Sequence, residues 1–233
     1  MLVYGRNVAE EYLKKVEQVK KIYLQDNFHD EKLISVIEKT KIPVVLKKKY
    51  ELDQLVNSVH QGIILDVVDF SYSSIDSFLD KEDCFLVILD HLEDPHNFGA
   101  IIRTSEAAGV DGIVIPKDRG VTMNGTVIKT SVGASQNMDI ALVTNLNQTI
   151  KELKNNGFWI VGTDMVNSTD YRDIDYSGKI ALVIGNEGDG MSRIVRESCD
   201  FIARIPMYGK VNSLNASVAA GIMIYEVVRQ KKG

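Results

Sequence analysis

Polar residues that could do chemistry stand in a few short segments of the later part of the chain. In the segment 97–103 (NFGAIIR), Asn97 is placed to cap a helix, and Arg103 lies on that helix among apolar neighbours. An arginine in such surroundings needs an anionic partner. A carboxylate of the protein would make Arg103 structural, whereas a phosphate would make it functional, and the residues alone leave both partners open.

A glycine-rich segment, 185–192 (GNEGDGMS), follows the apolar run 179–184. Glycines let a backbone pass close to a ligand, so Gly185, Asn186 and Glu187 are candidate contacts. The spacing G-x-x-G-x-G is neither the dinucleotide fingerprint nor a phosphate-binding P-loop, and two acidic residues oppose a pyrophosphate. The pattern therefore disfavours a nucleotide-binding oxidoreductase, and a turn without a ligand is the alternative.

The stretch 201–226 joins a short apolar strand, a polar loop and a helix predicted over 214–228. That helix is apolar on almost every side, so we expect every side of it to be buried. The free N–H groups at its beginning can hold a polar ligand, and nearby apolar residues can enclose a flat ring. Core packing with ordinary capping is the alternative. The residues concerned are Ile205, Met207, Ser213, Leu214 and Asn215.

The elements that position these segments alternate between strand and helix from residue 84 onward, which predicts a parallel α/β sheet. The run 84–90 (CFLVILD) is typical of a strand covered on both faces. Further strands are predicted over 112–116, 140–143, 158–162, 179–184 and 201–205, and helices over 98–109, 122–132, 146–156 and 191–198. Ligands collect beyond the carboxyl ends of such strands, where Thr163 and the three segments fall.

Residues 1–70 predict a smaller α/β unit, with helices over 7–15, 30–39 and 49–56 and strands over 19–24, 42–46 and 62–68. The polar, serine-rich stretch that follows predicts a linker. We therefore expect a front domain over 1–70, a linker over 71–83 and a second domain over 84–233. Lysine clusters in the front domain suit either a solvated surface or an RNA-facing one, at Lys14, Lys15, Lys20, Lys21 and 47–49.

Composition sets limits on function. The 233 residues carry a formal net charge of -5, so a phosphate-binding face has to be local. Cys84 and Cys199 are far apart and predict buried free thiols in a reducing compartment. Neither the cysteines nor the four histidines have metal-ligand spacing. The N-terminus lacks an apolar signal core and no apolar run is long enough to span a bilayer, so a cytoplasmic protein is expected.

Taken in order, three segments resemble the motifs of the TrmH/SpoU family of RNA ribose 2′-O-methyltransferases, within the SPOUT class. They are 97–103 (N-x-G-x-x-x-R), 183–192 (VIGNEGDGMS) and 205–217 (IPMYGKVNSLNAS). The resemblance covers 84–233 closely. The beginning of the chain, VYGRNVAEEYL, is similar to the small L30e-like substrate-binding domain of the subgroup that modifies large-subunit ribosomal RNA.

The resemblance implies an α/β fold, with a SPOUT-type parallel sheet, a C-terminal trefoil knot and a small L30e-like α/β domain before them. It implies S-adenosylmethionine (SAM) as the cofactor and RNA, not DNA, as the partner. It also implies a homodimer with the helices after Asn97 and Asn215 at the interface. The implied cofactor-binding residues are Thr163, Gly185, Asn186, Ile205, Met207, Leu214 and Asn215.

The implied catalytic residues are Arg103, Asn97, Glu187, Ser213 and Asn215. A ribose 2′-hydroxyl must be aligned with the sulfonium methyl group, a reaction that needs no metal. Because a guanidinium stays protonated in proteins, Arg103 is assigned first to the RNA phosphate and to orienting the hydroxyl. The expected substrate is a guanosine of 23S ribosomal RNA. The alternatives are a transfer RNA, or a SAM-retaining RNA-binding factor for ribosome assembly that has no turnover.

Overall fold

Eleven strands and nine α-helices alternate along the chain in a computed structural model that describes all 233 residues. The strands are β1 (Leu2–Tyr4), β2 (Val19–Gln25), β3 (Val44–Lys47), β4 (Ile63–Val67), β5 (Phe85–Leu89), β6 (Gly112–Pro116), β7 (Ile140–Val143), β8 (Phe158–Thr163), β9 (Thr169–Asp170), β10 (Lys179–Ile184) and β11 (Phe201–Arg204). The helices are α1 (Arg6–Tyr12), α2 (Glu31–Glu38), α3 (Lys49–Leu55), α4 (Asp76–Leu79), α5 (Pro95–Ala108), α6 (Gly125–Ser131), α7 (Leu146–Asn155), α8 (Arg193–Ser198) and α9 (Ala216–Lys232).

A seven-stranded sheet in the order β7-β6-β5-β10-β8-β11-β9 forms the centre of the later part of the chain, and every pairing in it is parallel. Val87 of β5 lies opposite Ile113 on one side and Leu182 on the other. The strand β5 is buried throughout, which explains why its sequence is continuously apolar. All six strands predicted after residue 84 are present, and β9 is an additional edge strand.

The contacts divide the chain into two units. The first contains Met1–Ser71 and Met123–Gln136, and the second contains Tyr72–Thr122 and Asn137–Gly233. The first unit has a four-stranded mixed sheet in the order β1-β4-β2-β3. Its three predicted helices and three predicted strands are present with small shifts at their ends. Asp30 caps α2 as expected, because its carboxylate accepts the N–H of Leu33 at 3.1 Å.

The segment that contains α6 packs with the first unit, although the sequence places it within the predicted second domain. The hydroxyl of Tyr4 lies 2.8 Å from that of Thr126, and the ammonium of Lys129 lies over the ring of Tyr4. Gly125 allows the backbone of α6 to approach β1, because a Cβ there would meet the carbonyl oxygen of Leu2 at 2.6 Å. The domain bounds 1–70 and 84–233 stay a prediction, and this grouping differs from them at 123–136.

The stretch predicted as a linker is packed against the second unit. Its helix α4 places Phe78, with 1% of its surface exposed, in the core beside β6. A Cβ at Gly112 would meet the phenyl ring at 2.4 Å, so glycine leaves the room that the ring occupies. Ser73 forms a parallel bridge with Ala141. Serine-rich composition predicted a tether, but Phe78 and the Ser73 bridge attach the segment to the core and the sheet.

Helix α5 begins at Pro95 and not at Phe98, so the prediction that Asn97 caps it is wrong. The carboxylate of Asp94 accepts the N–H of His96 at 2.8 Å and is the actual cap. Proline suits the first helical position because its missing N–H would have no partner there. Asn97 therefore lies inside the first turn, where its side chain is buried and free for other contacts.

Helix α9 begins at Ala216, two residues later than predicted, and the expectation that it is buried on every side is wrong. Asn215 is its cap and accepts the N–H groups of Ser217 and Val218 at 2.9 and 3.3 Å. Val218 and Tyr225 are 50% and 52% exposed in the single chain. One side of α9 packs on α5 and β10, while an apolar stripe stays uncovered.

The order of the strands in the sheet does not establish whether the chain forms the expected C-terminal trefoil knot. The knot therefore stays a prediction. None of the helices is long and apolar enough to cross a membrane. 

Replacement of Phe78 tests whether 71–83 is a tether or part of the core. Phe78→Ala should lower the free energy of unfolding by about 3–5 kcal/mol, because it leaves a cavity in a packed core. Urea unfolding of the full chain measures the loss. Asp80→Ala, at an exposed neighbouring position, should change stability by less than about 0.5 kcal/mol. Equal stabilities of the two variants would contradict the packing.

Candidate active site

A cavity of about 490 Å³ opens beyond the carboxyl ends of β8, β10 and β11. The loops that follow these three strands form its walls. Two of them lie in the segments 185–192 and 201–226 singled out in the sequence, and the third begins at Thr163. Its volume lies within the range of about 300–1,000 Å³ that small-molecule sites occupy. The predicted residues that line it are Thr163, Gly185, Asn186, Glu187, Ile205, Met207, Ser213 and Leu214.

The loop after β10 is folded back on itself. Asn186 and Gly190 exchange backbone hydrogen bonds at 2.9 and 3.1 Å, and the Asn186 side chain accepts the N–H of Gly188 at 2.8 Å. Gly185 lies so close to the returning strand of the loop that a Cβ would be 2.4 Å from the backbone of Gly190 and Met191. This turn therefore requires glycine at 185 for a steric reason, and the loop presents backbone to the cavity.

Two residues after β5 hold that loop in place from its other side. The carboxylate of Asp90, which is buried, accepts the N–H of Ser192 at 2.6 Å and contacts Nδ1 of His91 at 2.5 Å. Asn186 donates from Nδ2 to the carbonyl oxygen of His91 at 2.7 Å. Sequence reasoning assigned no role to Asp90. The available signal was a carboxylate directly after a fully buried strand.

A chain of side-chain hydrogen bonds connects the three motif segments. Asn97 donates from Nδ2 to Oε1 of Glu187 at 2.9 Å, and its Oδ1 accepts Nδ2 of Asn215 at 2.9 Å. The oxygen of Asn215 in turn accepts the first N–H groups of α9. Each amide is oriented by its neighbours, since a helix cap needs oxygen and a carboxylate needs a donor. The structure thus brings together three of the predicted catalytic residues.

The exit of β8 forms another wall. The hydroxyl of Thr163 donates to the carbonyl oxygen of Val183 at 3.0 Å, which ties the ends of β8 and β10. Next to it, Asp164 forms an ion pair with Arg196 at 2.8 Å. Burial by itself would raise the pKa of Asp164, but the N–H of Val166 and the Arg196 guanidinium outweigh it and hold the pKa below its ordinary value. Asp164 therefore stays charged and keeps this wall in place.

Arg103 does not line the cavity. It lies six residues beyond Asn97 on α5, about 9 Å along the helix axis at 1.5 Å per residue. Its side chain is exposed and makes no hydrogen bond or ion pair within the chain. A carboxylate partner, one of the two alternatives left open by the sequence, is therefore absent from the single chain. Ser213 lines the cavity, but its hydroxyl has no partner either.

Several further residues line the cavity without having been predicted. They are Asp164, Met165, Gly188, Asp189, Gly190, Ala203, Arg204, Asn212, Ala216 and Ala219. Most are immediate neighbours of predicted residues in the sequence, and this proximity is the only feature from which they could have been predicted. The exposed thioether of Met165 and the half-buried side chains of Ile205 and Met207 make part of the lining apolar.

The lining fits SAM in size and chemistry. Apolar side chains from the loops after β8 and β11 can enclose an adenine ring, and the Gly185 loop offers backbone groups at its edge. The residues of α9 that line the cavity, Ala216 and Ala219, are small and leave room for a ligand. Acidic groups at Glu187 and Asp189 suit a cation better than a pyrophosphate, which agrees with a sulfonium compound.

Two family profiles match the chain. The SpoU rRNA methylase family matches residues 84–225, and the substrate-binding domain of RNA 2′-O ribose methyltransferases matches residues 2–73. A protein of Staphylococcus epidermidis named as a TrmH family tRNA/rRNA methyltransferase is 44% identical over 239 residues, covering 99% of this chain and 96% of its own. These matches confirm the family resemblance that was stated from the motifs.

Solved structures with the same fold agree. The SpoU methyltransferase AviRb from Streptomyces viridochromogenes, with AdoMet, has a TM-score of 0.83 at 24% identity, covering 99% of this chain and 90% of that one. An AdoMet-bound rRNA methyltransferase from Sinorhizobium meliloti has a TM-score of 0.80 at 26% identity, covering 100% and 88%. The predicted fold class is therefore confirmed.

Asn97→Asp tests the hydrogen-bond chain. The new carboxylate cannot donate to Glu187 and repels it, so we expect a loss of about 1–3 kcal/mol in unfolding free energy and weaker SAM binding. Glu187→Gln added to Asn97→Asp should restore both, because the glutamine amide supplies the missing donor. A thermodynamic cycle of the two single variants and the double variant measures the coupling. Additive effects would contradict a direct bond.

Proposed function

Because the chain belongs to the SpoU rRNA methylase family, we propose that it transfers a methyl group from SAM to a ribose 2′-hydroxyl of RNA, with a guanosine of 23S ribosomal RNA as the favoured target. The chain is an RNA methyltransferase of the TrmH/SpoU family, and this family uses SAM. The observation that carries the proposal is the hydrogen-bond chain of Glu187, Asn97 and Asn215, which joins the three motifs beside the cavity that Glu187 lines.

When bound, SAM supplies a methyl group made electrophilic by the sulfonium. The residues of the chain hold and orient the reactants. Gly185 and Asn186 present backbone to the cofactor and Leu214 and Met207 cover it. Glu187, which lines the cavity, is held by the hydrogen bond from Asn97. The increase in reaction rate comes from holding the hydroxyl in line with the methyl group, and such positioning alone can lower the barrier substantially.

Arg103 is assigned to the RNA. Its guanidinium is exposed and unpaired, so it is free to hold a phosphate bidentately and to orient the attacking hydroxyl. Because a guanidinium holds its proton in proteins, removal of the hydroxyl proton by Arg103 is the less favoured role. Its distance from the cavity along α5 indicates that it acts at a site it reaches only in a larger assembly.

A homodimer supplies such an assembly. Helices α5 and α9 pack together, and a side chain at Gly221 would lie 3.8 Å from the methyl group of Thr104. The uncovered apolar stripe of α9, with Val218 and Tyr225, is the kind of surface that a second copy buries. In the proposed dimer the α5–α9 surface forms the interface, and Arg103 of one copy serves the cavity of the other.

Ribosomal RNA is favoured over transfer RNA because the chain carries a front domain that matches the substrate-binding profile over residues 2–73. The similar protein from S. meliloti is described as an rRNA methyltransferase, which supports the same choice. The second candidate is a SAM-retaining RNA-binding factor without turnover. The presence of both Asn97 and Arg103 at their motif positions favours the enzyme.

Comparison of two glycines tests the cofactor site. Gly185→Ala should abolish measurable SAM binding, because its Cβ would collide with the backbone of Gly190 and Met191 and open the loop. Gly188→Ala, in the same loop, should bind SAM within about threefold of the wild type. Its Cβ would meet only Oδ1 of Asn186, at an ordinary 3.5 Å. Calorimetry measures both, and normal binding by Gly185→Ala would contradict the site.

Substitution of Arg103 tests the transfer reaction. Arg103→Ala should lower methyl transfer to ribosomal RNA by at least about a hundredfold while SAM affinity and melting temperature stay near the wild type. Arg103→Lys keeps the charge but loses the planar fork, so it should be similarly impaired. Labelled SAM and ribosomal RNA from cells lacking the protein provide the assay. Full activity in folded Arg103→Ala would remove the assigned role, and mapping of the methylated ribose identifies the target.

A further inference from the structure

The first unit has a cavity of its own, of about 800 Å³, which none of the motif segments touches. It lies between the beginning of α1, helix α3 and the loop before β4. All of its lining belongs to this one unit: Arg6, Gln25, Lys49, Asp53, Val56, Asn57, Ser58, Val59, His60, Gln61 and Gly62.

The loop that forms one wall is held rigidly. His60 is buried, and its Nδ1 can only accept the N–H of Gly62, at 3.0 Å, so its hydrogen is on Nε2 and is donated to Asp53 at 3.0 Å. Gly62 has a positive φ of 84° and lies against the ring of Phe28, where a Cβ would be only 2.8 Å away. The wall is therefore formed before any ligand binds.

Hydrogen-bond donors without a partner face this cavity. Oε1 of Gln61 accepts the N–H of Arg6 at 3.0 Å, which leaves the NH₂ group of that amide as the free end. The ammonium of Lys49 has no hydrogen bond or ion pair. A lining rich in free donors suits a ligand rich in acceptors, as phosphate oxygens and the edges of bases are.

A flat cation also stands at this cavity. The guanidinium of Arg6 lies over the ring of Phe28 at 5.1 Å from its centroid, and Oδ2 of Asp30 steadies it at 3.5 Å. The Arg6 side chain is 43% exposed, so its guanidinium has surface available for contact with a second ring. At the rim, Val59 is 72% exposed and offers apolar contact.

We propose that this cavity binds one unstacked nucleotide of the RNA substrate, with its base stacked on Arg6 and an adjacent phosphate held by Lys49. Sequence-specific recognition of RNA uses such extruded bases, which stack on aromatic rings or on guanidinium planes. The inference rests on the proposed function, because it assumes an RNA substrate. On this proposal the first unit recognises an unpaired nucleotide in a defined cavity, in addition to attracting RNA through its positive charges.

The test compares binding of a single-stranded RNA of about 20 nucleotides with binding of the same sequence as a duplex. The full-length wild type, Arg6→Ala, Arg6→Lys and Lys49→Ala are measured by fluorescence anisotropy at several salt concentrations. Lys39→Ala is the matched control, since it removes one exposed lysine of the same unit that lies outside both the cavity and the lysine clusters.

Arg6→Ala should weaken binding of the single strand about tenfold and binding of the duplex less than about twofold, because only an unstacked base meets the guanidinium. Arg6→Lys should be weakened as much, since an ammonium has no plane to stack on. Lys49→Ala should lower the salt slope of single-strand binding by about 0.7, as expected for one lost phosphate contact. Lys39→Ala should keep the wild-type preference for the single strand.

Two results would overturn the inference. One is a wild type that binds duplex and single strand equally, and the other is single-strand binding by both Arg6 variants within about twofold of the wild type. Failure of the proposed function looks different: the wild type would prefer single-stranded RNA, and the Arg6 variants would lose that preference, while no methyl group reaches ribosomal RNA from labelled SAM.

Discussion

The site depends on one short chain of hydrogen bonds, from Glu187 through Asn97 to Asn215 and on to the first N–H groups of α9. The donor-to-acceptor direction of these hydrogen bonds is set at both ends, because the free N–H groups of the helix need an acceptor oxygen and the carboxylate needs a donor. Asn97 can serve both only because Asp94 has already capped α5.

The parallel sheet makes this convergence possible. Its strands all end at the same edge, so the loops that follow them share one cavity although they are distant in the chain. The loops differ in how they are held there. Gly185 is required by a close backbone approach, Asp90 anchors Ser192 from a buried position, and Arg196 restrains Asp164 by charge. Steric and hydrogen-bond restraints thus act on the loop after β10 and an ionic restraint acts on the loop after β8, which leaves the cavity formed in the single chain.

Positive and negative side chains lie at different places in the protein. The formal net charge of -5 conceals exposed cations without an ion pair at Lys49 in the first unit and at Arg103 in the second, and the Arg6 guanidinium beside Asp30. Around the cofactor cavity, Glu187 and Asp189 carry the opposite sign, which suits a sulfonium. RNA would therefore be attracted to particular places and not to the surface as a whole, so binding should depend on geometry as well as on salt.

The order of strands and helices could be predicted from apolar periodicity, and the family from the resemblance of three short motifs, because both signals lie in neighbouring residues. Which side chains meet could not be predicted in this way. Phe78 joins the core from a serine-rich stretch, α6 packs with the first unit, and Arg103 stays away from the cavity that its motif helps to define. The surface of α9 shows the same limit, since an apolar helix predicts burial but Val218 and Tyr225 are uncovered in one chain. The physical reason is that burial and hydrogen-bond pairing depend on contacts between residues far apart in the chain, for which composition and spacing carry no signal.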